Sequence, residues 1–185
     1  IIDSIPHDGY IAPHFVQALL HAAGISVVDE FVSGNKEEVL AFARRTSFPV
    51  VAKVVGPVHK SDVGGVTLNI KGEQHLALEF ERMMRLPDAT AVMVQPMLKG
   101  TELVIGAKYE EKFGHVVLCG LGGIFVEVLK DVSSGLAPLS YEEAYSMIHS
   151  LRAYKIIQGT RGQKGVNEDK FAEIIVRLST LLRFA

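Results

Sequence analysis

The stretch from Phe48 to Val66 narrows what this chain can become more than any other. It reads Phe-Pro-Val-Val-Ala-Lys-Val-Val-Gly-Pro, then Val-His-Lys-Ser-Asp-Val-Gly-Gly-Val. Its first part is a β-branched apolar run, the composition of a buried strand. One lysine, Lys53, interrupts that run between Val51-Ala52 and Val54-Val55. A charge among such neighbours needs an anionic partner. A short polar loop follows, with His59, Lys60, Ser61 and Asp62, and Gly64-Gly65 closes it before a second strand. Strand, glycine-rich loop and strand is one way to build a phosphate clamp. Glycine lets backbone N–H groups approach anionic oxygens, and lysine adds a positive point charge. An ion pair internal to the fold is the other use of such a lysine.

A chain of 185 residues suffices for one domain or two small lobes sharing a core. Hydrophobic residues make up 48%, yet no apolar run reaches spanning length, so a globular chain without a transmembrane segment is expected. The N-terminus has neither a signal-peptide pattern nor a starting Met, which suggests an excised fragment. A single cysteine, Cys119, excludes an intrachain disulfide and fits a reducing, cytoplasmic setting. With a net charge of −2, nothing points to a general affinity for nucleic acid or anionic membrane.

Residues 1–11 read as a lead-in. Pro13 to about Ala23 is predicted to be a helix closed by Gly24, with Phe15, Val16, Leu19 and Leu20 inward. Ile25–Val32 reads as a short strand. Ser33 or Asn35 can cap a helix reaching Arg45. Beyond the loop, Val66–Ile70 alternates as a strand, and Leu76, Phe80, Met83 and Met84 mark a helix. Ala91–Gln95 is a buried strand, and Pro96–Gly100 is a connector. Strands follow at Glu102–Lys108 and Val116–Cys119, with a turn at Glu110–Gly114. Gly120-Leu121-Gly122-Gly123 is a second glycine-rich loop, and Phe125–Leu129 reads as another strand. Ser140 and Glu143 form a capping box, and a last helix begins near Asn167. The expected class is mixed α/β (α+β), with a lead-in at 1–11 and lobes at 12–95 and 96–185.

His-Lys-Ser-Asp-Val-Gly-Gly-Val with the Val-Ala-Lys strand before it resembles the ATP-grasp domain of ADP-forming acyl-CoA synthetases, relatives of succinyl-CoA synthetase. A second likeness runs from Gly120 to Val132 (Gly-Leu-Gly-Gly-Ile-Phe-Val-Glu-Val-Leu-Lys-Asp-Val), and a third is the helix ending in Ala23-Gly24-Ile25. The similarity covers nearly the whole chain from Pro13, and the octet and the longer glycine segment are its specific parts. It implies a two-lobed ATP-grasp fold with mixed sheets flanked by helices, which binds ATP or ADP with Mg²⁺. It also implies that His59 is a transient phosphoryl carrier, chemistry for which neutral imidazole is competent. CoA would belong to a CoA-binding part, absent here, that acts as partner subunit or domain, and the complete protein is expected to be an oligomer.

By the same resemblance Lys53 and Lys60 contact nucleotide phosphates, beside Gly64 and Gly65. Gln95 and Met97 lie at the hinge that holds adenine, and Glu102 approaches the ribose. Gly122 and Gly123 supply donors, and Asp62 orients His59 or closes an Asx turn. Glu127 and Asp131, four apart on the expected strand, would share a face and bind Mg²⁺ or make contacts at a subunit interface. Arg161 is a further candidate for a phosphate. Other uses stand beside each: a turn cap for His59, solvated charge for Lys60, Glu102, Glu127 and Asp131, and a plain turn at Gly120–Gly123. Three departures qualify the match. Pro96 stands where the family commonly has an acidic residue, the Pro57–His59 segment is short, and the chain stops at Phe184-Ala185. The family continues into a strand with an Asp-Ile-Asn type segment that helps hold the metal, so a C-terminal strand is expected to be missing and the fragment alone to be inactive. Two other functions fit less of the octet: a ligand-sensing synthetase-like module of a protein acetyltransferase, and an ATP-grasp ligase joining a carboxylate to an amine. His59 within an intact octet argues against the first, and the second needs no loop histidine.

Overall fold

The computed structural model describes residues 11, 13–56, 63–160, 162 and 164–184. Helix α1 (Pro13–Ala22) has no fully buried residue: Phe15, Leu19 and Leu20 are half-buried and Val16 is exposed. The chain divides into two compact units, Val28–Lys99, and Gly100–Ala185 with the residues up to Val27. Each has its own core.

In the Val28–Lys99 unit the order is β1 (Phe31–Ser33), α2 (Lys36–Thr46), β2 (Val50–Val55), β3 (Val66–Ile70), α3 (Glu73–Met83) and β4 (Ala91–Pro96). The strands form one antiparallel sheet in the order β1-β4-β2-β3. Alternation divides each strand between two faces. Val50, Ala52 and Val54 of β2 and Val92 and Val94 of β4 pack on α2 and α3 through Val39, Leu40, Ala43, Leu76, Phe80 and Met83. Lys53 and Gln95 therefore lie on the face turned away from the helices. Asn35 starts α2 by accepting the N–H groups of Glu37 and Glu38, with acidic residues in the first turn and Arg44 and Arg45 in the last. The strand expected over Ile25–Val32 starts only at Phe31 and runs to Ser33. Apolar residues before it do not alternate, and its register comes from β4: Phe31 opposite Val94, Val32 opposite Met93.

In the second unit β5 (Leu103–Glu110) and β6 (Gly114–Leu121) form a hairpin, and β7 (Val132–Leu136) completes the sheet in the order β5-β6-β7. Between β6 and β7 lies α4 (Ile124–Leu129), where a strand was expected over Phe125–Leu129. Its β-branched and aromatic composition favours a strand. The backbone decides otherwise: Gly123 at φ 56°, ψ −141° turns the chain out of β6, and left-handed Lys130 donates its N–H to Val126 to end the turn. α5 (Tyr141–His149) opens with the expected capping box between Ser140 and Glu143. After α6 (Tyr154–Gln158), α7 (Glu168–Leu181) buries Phe171, Ala172, Ile175 and Ser179 and is followed by a 3₁₀ turn, Leu182–Phe184. The core joins Val117, Cys119 and Leu121 of β6 to Met147, Ile148, Phe171 and Ile175. Arg177 of α7 donates to the Ala23 carbonyl at 3.1 Å, which ties the end of α1 to this unit. Among the described residues no helix is long and apolar enough to cross a membrane.

Candidate nucleotide site

Lys53 is held on the sheet face away from α2 and α3. Its Nζ donates to Gln95 Oε1 at 2.8 Å, and Gln95 Nε2 donates to Glu30 Oε2 at 2.8 Å. The strand register explains the row. Gln95 lies opposite Val51 of β2, Lys53 opposite Met93 of β4, and Phe31 opposite Val94. Glu30, the residue just before β1, comes level with Gln95 on the same face. The partner that a lysine among valines requires is thus an amide backed by a carboxylate, all three groups half-buried.

Near Lys53 the octet re-enters at Gly64, whose φ of 66° suits glycine, and Gly65, whose carbonyl accepts Val54 N–H at 2.8 Å. His59, Lys60 and Asp62, the centre of the expected phosphoryl-transfer loop, lie outside the described residues, as does Arg161. Opposite the loop's exit, Thr67 of β3 and Arg82 of α3 both donate to Glu79 Oε2, at 2.6 Å and, from Arg82 Nη2, 2.8 Å. The Arg82 hydrogen bond, joined by that from Thr67, holds the Glu79 carboxyl below its usual range. At the expected hinge Met97 N–H donates to the Pro49 carbonyl at 2.9 Å, so this N–H is already paired.

In the second unit Glu102 meets the second glycine pair. Gly122 N–H donates to the Glu102 carbonyl at 2.8 Å, and a Cβ on Gly123 would collide with Glu102 Oε2. Gly122, Gly123 and the Glu102 carboxylate therefore form one small patch, which the sequence placed in a single site without showing why they touch.

The family of ATP-grasp domains matches residues 7–184. The chain belongs to the ATP-grasp family. It is 44% identical over 155 residues to an ADP-forming acetate–CoA ligase II of Archaeoglobus fulgidus, across 82% of this chain and 23% of that protein. It is 42% identical over 173 residues to the beta subunit of the ADP-forming acetate–CoA ligase I of Pyrococcus furiosus, across 88% of this chain and 75% of the subunit. The chain thus spans about a quarter of the single-chain relatives, 23% and 25% of the two from A. fulgidus, and three-quarters of the separate subunit. Among solved structures, a dinucleotide-forming acetyl-coenzyme A synthetase of Ca. Korarchaeum cryptofilum with coenzyme A and Ca-AMPCP superposes with a TM-score of 0.86 at 34% identity, covering 93% of this chain and 80% of that one. The same synthetase with coenzyme A and Mg-AMPPCP, its phosphohistidine segment pointing towards the nucleotide binding site, gives 0.79 at 36% identity, across 92% and 77%.

Against this ATP-grasp frame, the pairing of Glu127 with Asp131 fails. Glu127 is an exposed residue of α4, and Asp131 lies beyond the helix's end, so they share no strand face. Asp131 is buried, and its two carboxylate oxygens accept the backbone N–H groups of Arg152 and Ala153 at 3.1 and 2.7 Å. It caps the turn into α6. Among the described residues no cluster of three or more His, Cys, Asp or Glu could hold a metal ion. Mg²⁺ is usually held by one or two carboxylates together with substrate phosphates and water, so a cluster of three is not required for it. The residue that sequence reasoning missed is Glu30. No motif marks it, because its part depends on a register between strands that are 65 positions apart at Glu30 and Gln95.

Proposed function

We propose that this chain is the nucleotide-binding part of an ADP-forming acyl-CoA ligase, in which a phosphoryl group passes between a phosphohistidine and ADP. The observation that carries the reading is Lys53: a half-buried ammonium on the sheet face away from the helices, met among the described residues by an amide and not by a carboxylate. Such a group is ready for a polyanion. The two ADP-forming ligases and the synthetase structures with bound nucleotide analogues support it.

In the reaction the P–N bond to histidine breaks as a P–O bond to the ADP β-phosphate forms, and the imidazole recovers its electron pair. His59 is our candidate carrier. The chain's contribution is position and charge. Lys53 holds the phosphates, Gly64 and Gly65 let the loop backbone come close, and Glu102 beside Gly122-Gly123 is placed for a ribose hydroxyl. Mg²⁺ would neutralise phosphate charge when bound, held by one or two carboxylates of the chain together with the nucleotide phosphates. CoA and the acyl group would be handled by a CoA-binding partner, in a cytoplasmic oligomer. The test uses the full-length protein with ATP and Mg²⁺. It should gain acid-labile phosphate, lose it with ADP, and gain far less as His59→Ala. Normal acyl-CoA turnover by His59→Ala would remove the carrier role. Acyl-CoA binding by calorimetry without any turnover would favour the ligand-sensing module instead.

A further inference from the structure

We infer that Glu30 is a positioning residue for the nucleotide phosphates, acting through Gln95 on the Lys53 ammonium; this rests on the nucleotide-binding reading above. The chemistry of the three groups orders them in one way only. Lysine is solely a donor and an ionised carboxylate solely an acceptor, while a glutamine amide offers both. Between Lys53 and Glu30 the amide must turn its NH₂ to Glu30 and its oxygen to Lys53, as the 2.8 Å contacts on each side record. Glu30 thereby fixes which end of Gln95 the lysine meets. Without it the amide is free to flip and present NH₂ to an ammonium, donor against donor.

Among the described residues the arrangement also keeps a carboxylate out of direct contact with the ammonium. A carboxylate in contact with Lys53 would compete with phosphate for the same N–H groups. Among the described residues the carboxylate stands one amide further off and the amide oxygen takes one of the three ammonium protons, so the others can turn to phosphate oxygens. Lys53 and Gln95 sit on the neighbouring strands β2 and β4, and Glu30 directly precedes β1 on the other side of β4, so strand pairing sets the spacing of the row. Rigid strands hold a charged group more closely than a loop does.

The test is a calorimetric titration of the full-length protein with ADP in the presence of Mg²⁺, and separately with adenosine, which has no phosphate. Lys53→Met should weaken ADP at least tenfold and leave adenosine unchanged. Glu30→Ala should weaken ADP about five- to tenfold, and Glu30→Gln, which still offers an acceptor, by less. In the Lys53→Met background neither Glu30 variant should change ADP further. If Lys53→Met binds ADP like the parent, the nucleotide reading fails and this inference with it. If Lys53→Met weakens ADP but the Glu30 variants do not, or weaken adenosine equally, or act undiminished without Lys53, the inference alone is overturned.

Discussion

Single substitutions separate charge from packing most cleanly at Lys53 and Cys119. Methionine at 53 keeps an apolar stem on the sheet face that Lys53 shares with Val51 and Val55, opposite Met93, and removes only the ammonium, so thermal stability should change little while nucleotide affinity falls. Cys119 is fully buried in β6, and desolvation pushes its thiol up to about 11 from 9.0. The native protein should therefore resist a thiol reagent at pH 8, and denaturation in urea should release one reactive group. The sign of the pH effect follows. The folded state holds this proton to higher pH than the unfolded state, so the thiol's contribution is intact below pH 9.0 and is lost as pH rises towards about 11. Alkaline urea melts of the parent and Cys119→Ala should show a steeper decline for the parent in that window. Asp131→Ala should cost about 1–3 kcal/mol of stability by orphaning the N–H groups of Arg152 and Ala153, read from a denaturant midpoint. At this scale the sequence was readable for Lys53, whose apolar surroundings announce a required partner, and unreadable for Glu30 and Asp131. Their work lies in contacts across 65 and 21 or 22 positions, and nothing local distinguishes them from surface acids.

Elements with chemical end-signals were legible. The helices opened by Asn35, by the Ser140–Glu143 box and by Asn167 begin where those caps sit, because capping is decided within a few residues. Ser140→Ala should lower stability by about 0.5–2 kcal/mol in a thermal melt. The segment Ile124–Leu129 shows the opposite case. Its composition reads as strand, yet one glycine at positive φ and one left-handed lysine bracket it as a helix, and β7, not anticipated, takes the place beside β6. Short apolar runs cannot be assigned by pattern alone. Gly123→Ala should show how much depends on that glycine. A methyl there meets the Glu102 carboxylate and an unfavourable backbone angle, so the variant should lose about 1–3 kcal/mol and disturb whatever Glu102 binds. Parent-like stability and ligand affinity in Gly123→Ala would show that neither constraint is felt.

For the whole molecule, the two units have separate cores, each built on its own antiparallel sheet. A unit with its own core can fold alone. Residues 28–99 expressed separately should retain helical circular dichroism and a cooperative, if weak, urea transition; a featureless melt would show that the four-stranded sheet needs the rest of the chain. The mixed α/β class and the ATP-grasp fold were legible, through the strand–loop–strand signal and the resemblance it supports; that all the described strand pairs are antiparallel, where mixed sheets were expected, was not. The grouping of α1 with the later residues was not, since only contacts such as Arg177 with Ala23 decide it.

One consequence concerns time. β4 is the last strand of its sheet to be made, and it inserts between β1 and β2. Until it arrives, Glu30 and Lys53 have nothing between them. During refolding, then, the ability to retain ADP should lag behind the recovery of helix signal, and a stopped-flow trace following nucleotide capture would clock the moment the central strand closes.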